Sequence, residues 1–133
     1  MALHAIAYAS TAAPELTQAD LEHVLETWRR RNESEGITGV RLFCDGNFMQ
    51  YLEGPPVAVL ATFARIRTSC LHYQVSELMN QAIGAREFAE WTMGFSHASA
   101  SQFLEFAGAA LGPGGQMLRT FWINCRAGGW PLD

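Results

Sequence analysis

The sequence predicts an α+β fold, a ferredoxin-like βαββαββ sheet with two helices on one face and further helices at the C-terminus. Three observations carry that expectation. Two stretches place apolar residues at helical spacing, Leu21, Val24, Leu25 and Trp28 in the first and Val57, Leu60, Phe63, Ala64 and Ile66 in the second. Between them, two apolar runs flank Asp45-Gly46, a dipeptide suited to a tight hairpin turn. A chain of 133 residues, 49% hydrophobic and 17% charged, is long enough for one core and too apolar to stay disordered.

Taken in order, residues 3–9 alternate weakly and lead into a polar, proline-containing stretch that cannot continue a central strand, so a strand then a loop is expected. Thr17 and Asp20 have the spacing of a capping box, and the helix they open should run to about Glu33, where Ser34-Glu35-Gly36 stops it. The hairpin follows and is closed by Gly54-Pro55-Pro56, after which the second helix should reach about Thr68. Residues 74–83 are ambiguous between strand and loop. Residues 88–95, with Trp91, Met93 and Phe95 alternating, make a firmer last strand. Beyond Phe95 the composition turns to Ala, Ser and Gly. Phe103, Leu104 and Phe106 suggest a helix ended by Gly112-Pro113-Gly114-Gly115, and Met117, Leu118, Phe121 and Trp122 suggest another. These helices need an apolar partner, either the uncovered sheet face or a second copy of it. The expected division is a domain over residues 1–96 and a C-terminal helical extension over residues 97–133.

Composition excludes several classes. Net charge is −4 and all nine basic residues are arginines, clustered only at Arg29, Arg30 and Arg31, which argues against nucleic-acid binding. Cys44, Cys70 and Cys125 are odd in number and lack a paired spacing, so they read as reduced thiols and no metal site is expected. No basic leader and no apolar run of about 20 residues is present, so the expectation is a soluble cytoplasmic protein without membrane contact.

A ferredoxin-like fold hosts many functions, so function must come from particular residues. Tyr8-Ala9-Ser10 ends the first strand, Asn32 lies near the end of the first helix, and Ile37-Thr38-Gly39 opens the second strand. Phe48-Met49-Gln50-Tyr51-Leu52-Glu53-Gly54 follows, then His72, Arg86-Glu87-Phe88 and Trp91-Thr92-Met93-Gly94-Phe95. Together, over about 90 of 133 residues, these segments resemble the BLUF family, sensors of blue light using flavin.

Gln50 is the most informative of them on physical grounds alone. It shares period-2 spacing with Phe48 and Leu52, so it is expected on a buried face, where both ends of its amide need partners. A flavin edge offers two acceptors and a donor. The resemblance implies that Gln50 bridges the Tyr8 hydroxyl and the flavin N5 edge, and that Asn32 holds the C4 carbonyl and N3. It also implies that light drives an electron and a proton out of Tyr8, with their return leaving Gln50 rotated or tautomerised and the absorption shifted to the red. Such a domain is a sensor, not an enzyme. Taken singly, Tyr8 reads as a packed aromatic and Asn32 as a helix C-cap.

The cofactor-binding set implied is Tyr8, Ser10, Val24, Trp28, Arg31, Asn32, Gln50, Arg65, Ile66 and His72, with FAD or FMN as cofactor. Val24 and Ile66 would sandwich the ring, and Arg65 and His72 would meet the ribityl phosphate. Trp91 and Met93 would join Tyr8 and Gln50 in the switch, as the transmission strand. Several residues depart from the family pattern: Ala9 replaces an arginine, Arg31 stands where asparagine or histidine is common, Leu71 stands where arginine is usual, and Trp28 stands where a small serine is expected. An indole beside Gln50 would crowd the ring or quench its excited state.

Three alternatives compete with a photoactive short BLUF protein that lacks its own output domain and signals to a separate protein or to its own oligomer, a dimer or larger. One is a flavin-binding relative with an altered or absent photocycle. Another, an acylphosphatase-like enzyme, needs a glycine-rich anion loop with an arginine, which Thr11-Ala12-Ala13-Pro14 does not supply. Oligomerisation without cofactor leaves a buried Gln50 unexplained.

Overall fold

The computed structural model describes residues 2–12, 17–44, 46–69, 72–89 and 112–124. Strand β1 (Leu3–Ala12) is followed by α1 (Gln18–Ser34), then β2 (Thr38–Cys44), β3 (Asn47–Gly54), α2 (Pro56–Thr68) and β4 (His72–Ile83), with a third helix, α3 (Pro113–Asn124), at the C-terminal side. The strands form one antiparallel sheet in the order β2-β3-β1-β4. That is the ferredoxin-like order, and it puts β1 and β3 at the centre.

Local chemistry explains the boundaries. Thr17 accepts a hydrogen bond from the Asp20 N–H at 3.1 Å while the Asp20 carboxylate accepts from the Thr17 N–H at 3.3 Å, the reciprocal capping box that satisfies two orphan donors of α1. At the other end Glu35 is the C-cap, so Asn32 is free of the capping role its position suggested. Across the hairpin Cys44 pairs with Asn47 and Arg41 with Gln50. Strand β3 ends at Gly54, where a Cβ would lie 2.7 Å from the Gly36 carbonyl oxygen, so only glycine permits that approach of β3 to the end of α1.

The two sheet faces are covered differently. Ile6, Tyr8, Ile37, Leu52, Val59, Phe63 and Ile66 form a buried cluster beneath α2, joined at its margin by Trp28 of α1. On the opposite face α3 packs on β3 and β2. Strand β3 is therefore buried on both sides, Met49, Tyr51 and Glu53 as fully as Phe48, Gln50 and Leu52.

One sequence expectation is corrected, and the start of an expected helix is moved earlier. Strand β1 continues past residue 9 to Ala12, because Thr11 and Ala12 still pair with Tyr73 and His72 of β4. The Gly112-Pro113-Gly114-Gly115 cluster opens a helix: Pro113 is its first residue, where a missing N–H costs nothing, and the Gly114 and Gly115 N–H groups donate to the Glu87 carboxylate at 3.0 and 3.1 Å. The ambiguous stretch is strand β4, running from His72. Of the expected last strand, Phe88 and Ala89 carry no strand structure, and Trp91, Met93 and Phe95 lie outside the described residues. The expected helix around Phe103, Leu104 and Phe106 lies outside them too.

Candidate functional site

The central strands bring the predicted switch pair together. Tyr8 of β1 is the cross-strand partner of Gln50 of β3, and both are fully buried on the face covered by the helices. The Tyr8 hydroxyl donates to Gln50 Oε1, which turns the amide nitrogen of Gln50 away from the phenol. A bulge at Leu78 shifts the β1–β4 register between Ala7 and Tyr8, a local distortion of the kind found beside functional residues. The Tyr8 ring rests on Phe63 of α2, centroids 5.6 Å apart. Burial pushes the Tyr8 phenol up to about 12, although the charge of Arg41 and its hydrogen bond to the phenol act in the opposite sense.

Asn32 completes the near side. Its carbonyl accepts from the Ile37 N–H at 2.8 Å, but its side chain is 2% exposed and Nδ2 has no hydrogen-bond partner among the described residues. A buried amide N–H₂ left unpaired costs on the order of 1–3 kcal/mol, so this group calls for an acceptor. It opens onto a cleft between α1 and α2 lined by Trp28, Arg31, Asn32, Thr62, Arg65 and Ile66. Arg65 reaches Glu35 at 3.1 Å and Thr62 Oγ1 at 3.0 Å across the cleft mouth. Ser10, two residues along β1 from Tyr8, is buried opposite Phe48. The side chains of Val24 on α1 and His72 on β4 lie outside the described part of the structure, as do Trp91 and Met93 entirely.

Sequence reasoning missed two residues here. Arg41 is 2% exposed and its guanidinium carbon lies 4.6 Å from the Trp28 ring centroid and 5.4 Å from that of Phe48. The signal existed, because the Asp45-Gly46 turn fixes a hairpin register in which residue 41 faces residue 50. Glu53 is the second. It belongs to the segment that carries the family resemblance, yet it faces α3, where its carboxylate accepts from Thr38 Oγ1 at 3.0 Å, Tyr51 Oη at 3.1 Å, and the N–H groups of Glu87 and Phe88 at 2.7 Å each. Arg86 closes the same corner by donating to the Gly36 carbonyl at 2.8 Å and to Thr38 Oγ1 at 2.9 Å. Arg86-Glu87-Phe88 is thus a clasp on the sheet end and on α3, away from Gln50.

Comparison with known proteins settles the family. A family model described as "Sensors of blue-light using FAD", BLUF, matches residues 3–94. The chain belongs to the BLUF family. It is 35% identical over 92 residues to the photoactivated adenylate cyclase subunit beta of Euglena gracilis, a match covering 68% of this chain and 11% of that protein. The chain therefore spans about a tenth of the length of this curated relative. Among solved structures it is similar to BlrB, a BLUF protein in its dark state, at 28% identity and TM-score 0.71, covering 90% of this chain and 95% of that one. It is also similar to Klebsiella pneumoniae BlrP1 with FMN and cyclic diGMP, at 26% identity and TM-score 0.74, covering 96% of this chain and 35% of that one.

BLUF domains are blue-light sensors that bind flavin, FAD or FMN. The donor set here fits such a group: the unpaired Asn32 Nδ2, the Gln50 amide and the apolar Ile66 side chain are matched to a flat ring with carbonyl acceptors at one edge. Space is the tighter criterion. The cleft holds about 30 Å³, against roughly 300 Å³ or more for an ordinary small-molecule pocket, and the Trp28 indole at its wall is the filling that a ring would displace.

Proposed function

We propose that this chain is a flavin-binding blue-light photoreceptor whose switch is the Tyr8–Gln50 pair. The single observation that carries the reading is the Tyr8 hydroxyl donating to a fully buried Gln50 amide on adjacent central strands. Asn32 Nδ2 is then the donor that holds a ring carbonyl, Ile66 and Val24 bracket the ring, Trp28 and Ser10 border it, and Arg31, Arg65 and His72 lie toward the ribityl and phosphate side. When bound, flavin supplies blue-light absorption and a transient electron acceptor.

The rest is done by the chain. Tyr8 gives up the electron, and its proton leaves through the bond that the hydroxyl donates to Gln50 Oε1. With Tyr8 no longer a donor, the amide is released from the orientation that the phenol imposes. It re-pairs rotated or tautomerised when the electron and proton return to Tyr8. The Tyr8 phenol, raised further by burial, is protonated at neutral pH and so holds a proton to donate in the resting state.

The altered pairing at Gln50 has a direct path out, because its neighbours Met49 and Tyr51 face α3. Residues 1–96 act as the sensing domain and residues 97–133 as the helical extension that passes the change to a partner protein or to a second copy, with Trp91 and Met93 on the transmission segment. A cytoplasmic setting is part of this reading; among the described residues no helix is long and apolar enough to cross a membrane. A second reading, flavin binding with a weak or absent photocycle, is carried by Trp28, whose indole borders the cleft as a competing electron donor.

The test is the purified chain supplied with FAD, FMN or riboflavin. Flavin uptake with a reversible red shift under blue light supports the first reading, and uptake with a static spectrum supports the second. Failure to take up any of the three flavins contradicts both.

A further inference from the structure

Arg41 is a buried cation with no carboxylate beside it among the described residues. Among the described residues it forms no ion pair, and its Nε and Nη2 have no hydrogen-bond acceptor. A guanidinium in that position is costly, since its hydration is lost and the faces of Trp28 and Phe48 with the Tyr8 hydroxyl offset only part of the loss. Its placement is not arbitrary. Arg41 on β2 pairs across to Gln50 on β3, and Gln50 pairs across to Tyr8 on β1, so the three side chains form one row across three strands on the face that α1 and α2 cover. The unsatisfied Arg41 N–H groups thus belong to the same buried face as the switch amide, and Asn32 Nδ2 is a further buried donor without a partner among the described residues.

We propose that Arg41 is a tuning residue of the flavin site, a fixed positive charge and paired N–H donor set against the cofactor edge that biases the bound ring toward its reduced, more negative form. The inference rests on the flavin-binding reading above. A planar guanidinium suits it because two nitrogens can meet carbonyl acceptors in one plane. Reduction adds electrons, and so negative charge, to the ring, and a buried counter-charge stabilises that form more than the neutral oxidised one. The Tyr8 hydroxyl lies within reach of the same guanidinium, so the charge bears on both partners of the photochemical pair.

The test is the midpoint potential of FAD bound to the full chain, measured by equilibrium reductive titration against a reference dye, with the reductant supplying the electrons. Arg41→Leu should shift the potential to more negative values, with a loss of about tenfold in preference for the one-electron-reduced ring, or about 59 mV. Arg41→Lys should stay near wild type, because it keeps the charge. Should Arg41→Leu not fold, judged by circular dichroism, Arg41→Gln is the neutral comparison. Equal potentials in the wild-type and neutral variants overturn the proposal and leave flavin binding standing. A packing role alone would show as a Lys variant no closer to wild type than Leu, and that result also overturns it. Failure of the wild-type chain to take up FAD overturns the flavin reading together with this one.

Discussion

Replacing Glu53 by glutamine tests whether the glutamate of the Phe48–Gly54 segment is structural. Its carboxylate is fully buried and accepts four hydrogen bonds, two on each oxygen, including the short backbone bonds from Glu87 and Phe88. Glutamine keeps the shape but has one acceptor oxygen, so its N–H₂ must confront one of the two backbone donors. That strands a buried N–H at about 1–3 kcal/mol, and the surviving bonds lose their charge assistance, together on the order of 2–4 kcal/mol. At roughly 3–5 °C per kcal/mol for a domain of this size, Tm should fall by about 10 °C. Paired thermal and urea denaturation of wild type and Glu53→Gln measures this. Flavin affinity should change little in the same variant, because Glu53 and Gln50 occupy opposite faces of β3. A Glu53→Gln protein within about 0.5 kcal/mol of wild type would refute the reasoning, since surface-like neutrality is incompatible with a buried four-donor carboxylate.

Two further outcomes follow from the site. Tyr8 titrates at about 12 in the folded chain and near 10 unfolded, so its burial contributes stability that is complete below about pH 10 and is lost as pH rises towards 12, about 3 kcal/mol in all; Tyr8→Phe should show a flatter decline in denaturant midpoint over that window. Trp28→Ser should raise the fluorescence of bound flavin by removing a neighbouring electron donor and should cost about 1–2 kcal/mol by uncovering Arg41; unchanged fluorescence would remove Trp28 from the site.

How much was legible follows from which residues act locally. The capping box of Thr17 and Asp20, the Asp45-Gly46 turn and the period-2 setting of Gln50 are short-range signals, and each appears where the sequence places it. The turn even encodes the pairing of Arg41 with Gln50, but a charged residue in a strand reads as solvent-facing until a helix is known to cover it, and α1 covers this one through Trp28. That the glycine-proline cluster also opens the helix carrying Met117 and Leu118 was hidden for the same reason. Proline at a first helical position and glycine past a last one look alike without the partner, and here the partner is Glu87, 27 residues upstream, whose carboxylate receives the helix N-terminus. Gly114 is there because the Tyr51 ring lies where a Cβ would go, a contact between α3 and β3 that no local pattern records.

The central claim is that light rearranges the bond between Tyr8 and Gln50, and the light-minus-dark absorption spectrum of flavin-loaded Gln50→Leu beside wild type tests it most directly. Leucine fills the site without an amide, so the variant should hold flavin yet show no red shift where wild type shows a reversible one. A full, reversible red shift in Gln50→Leu would contradict the account.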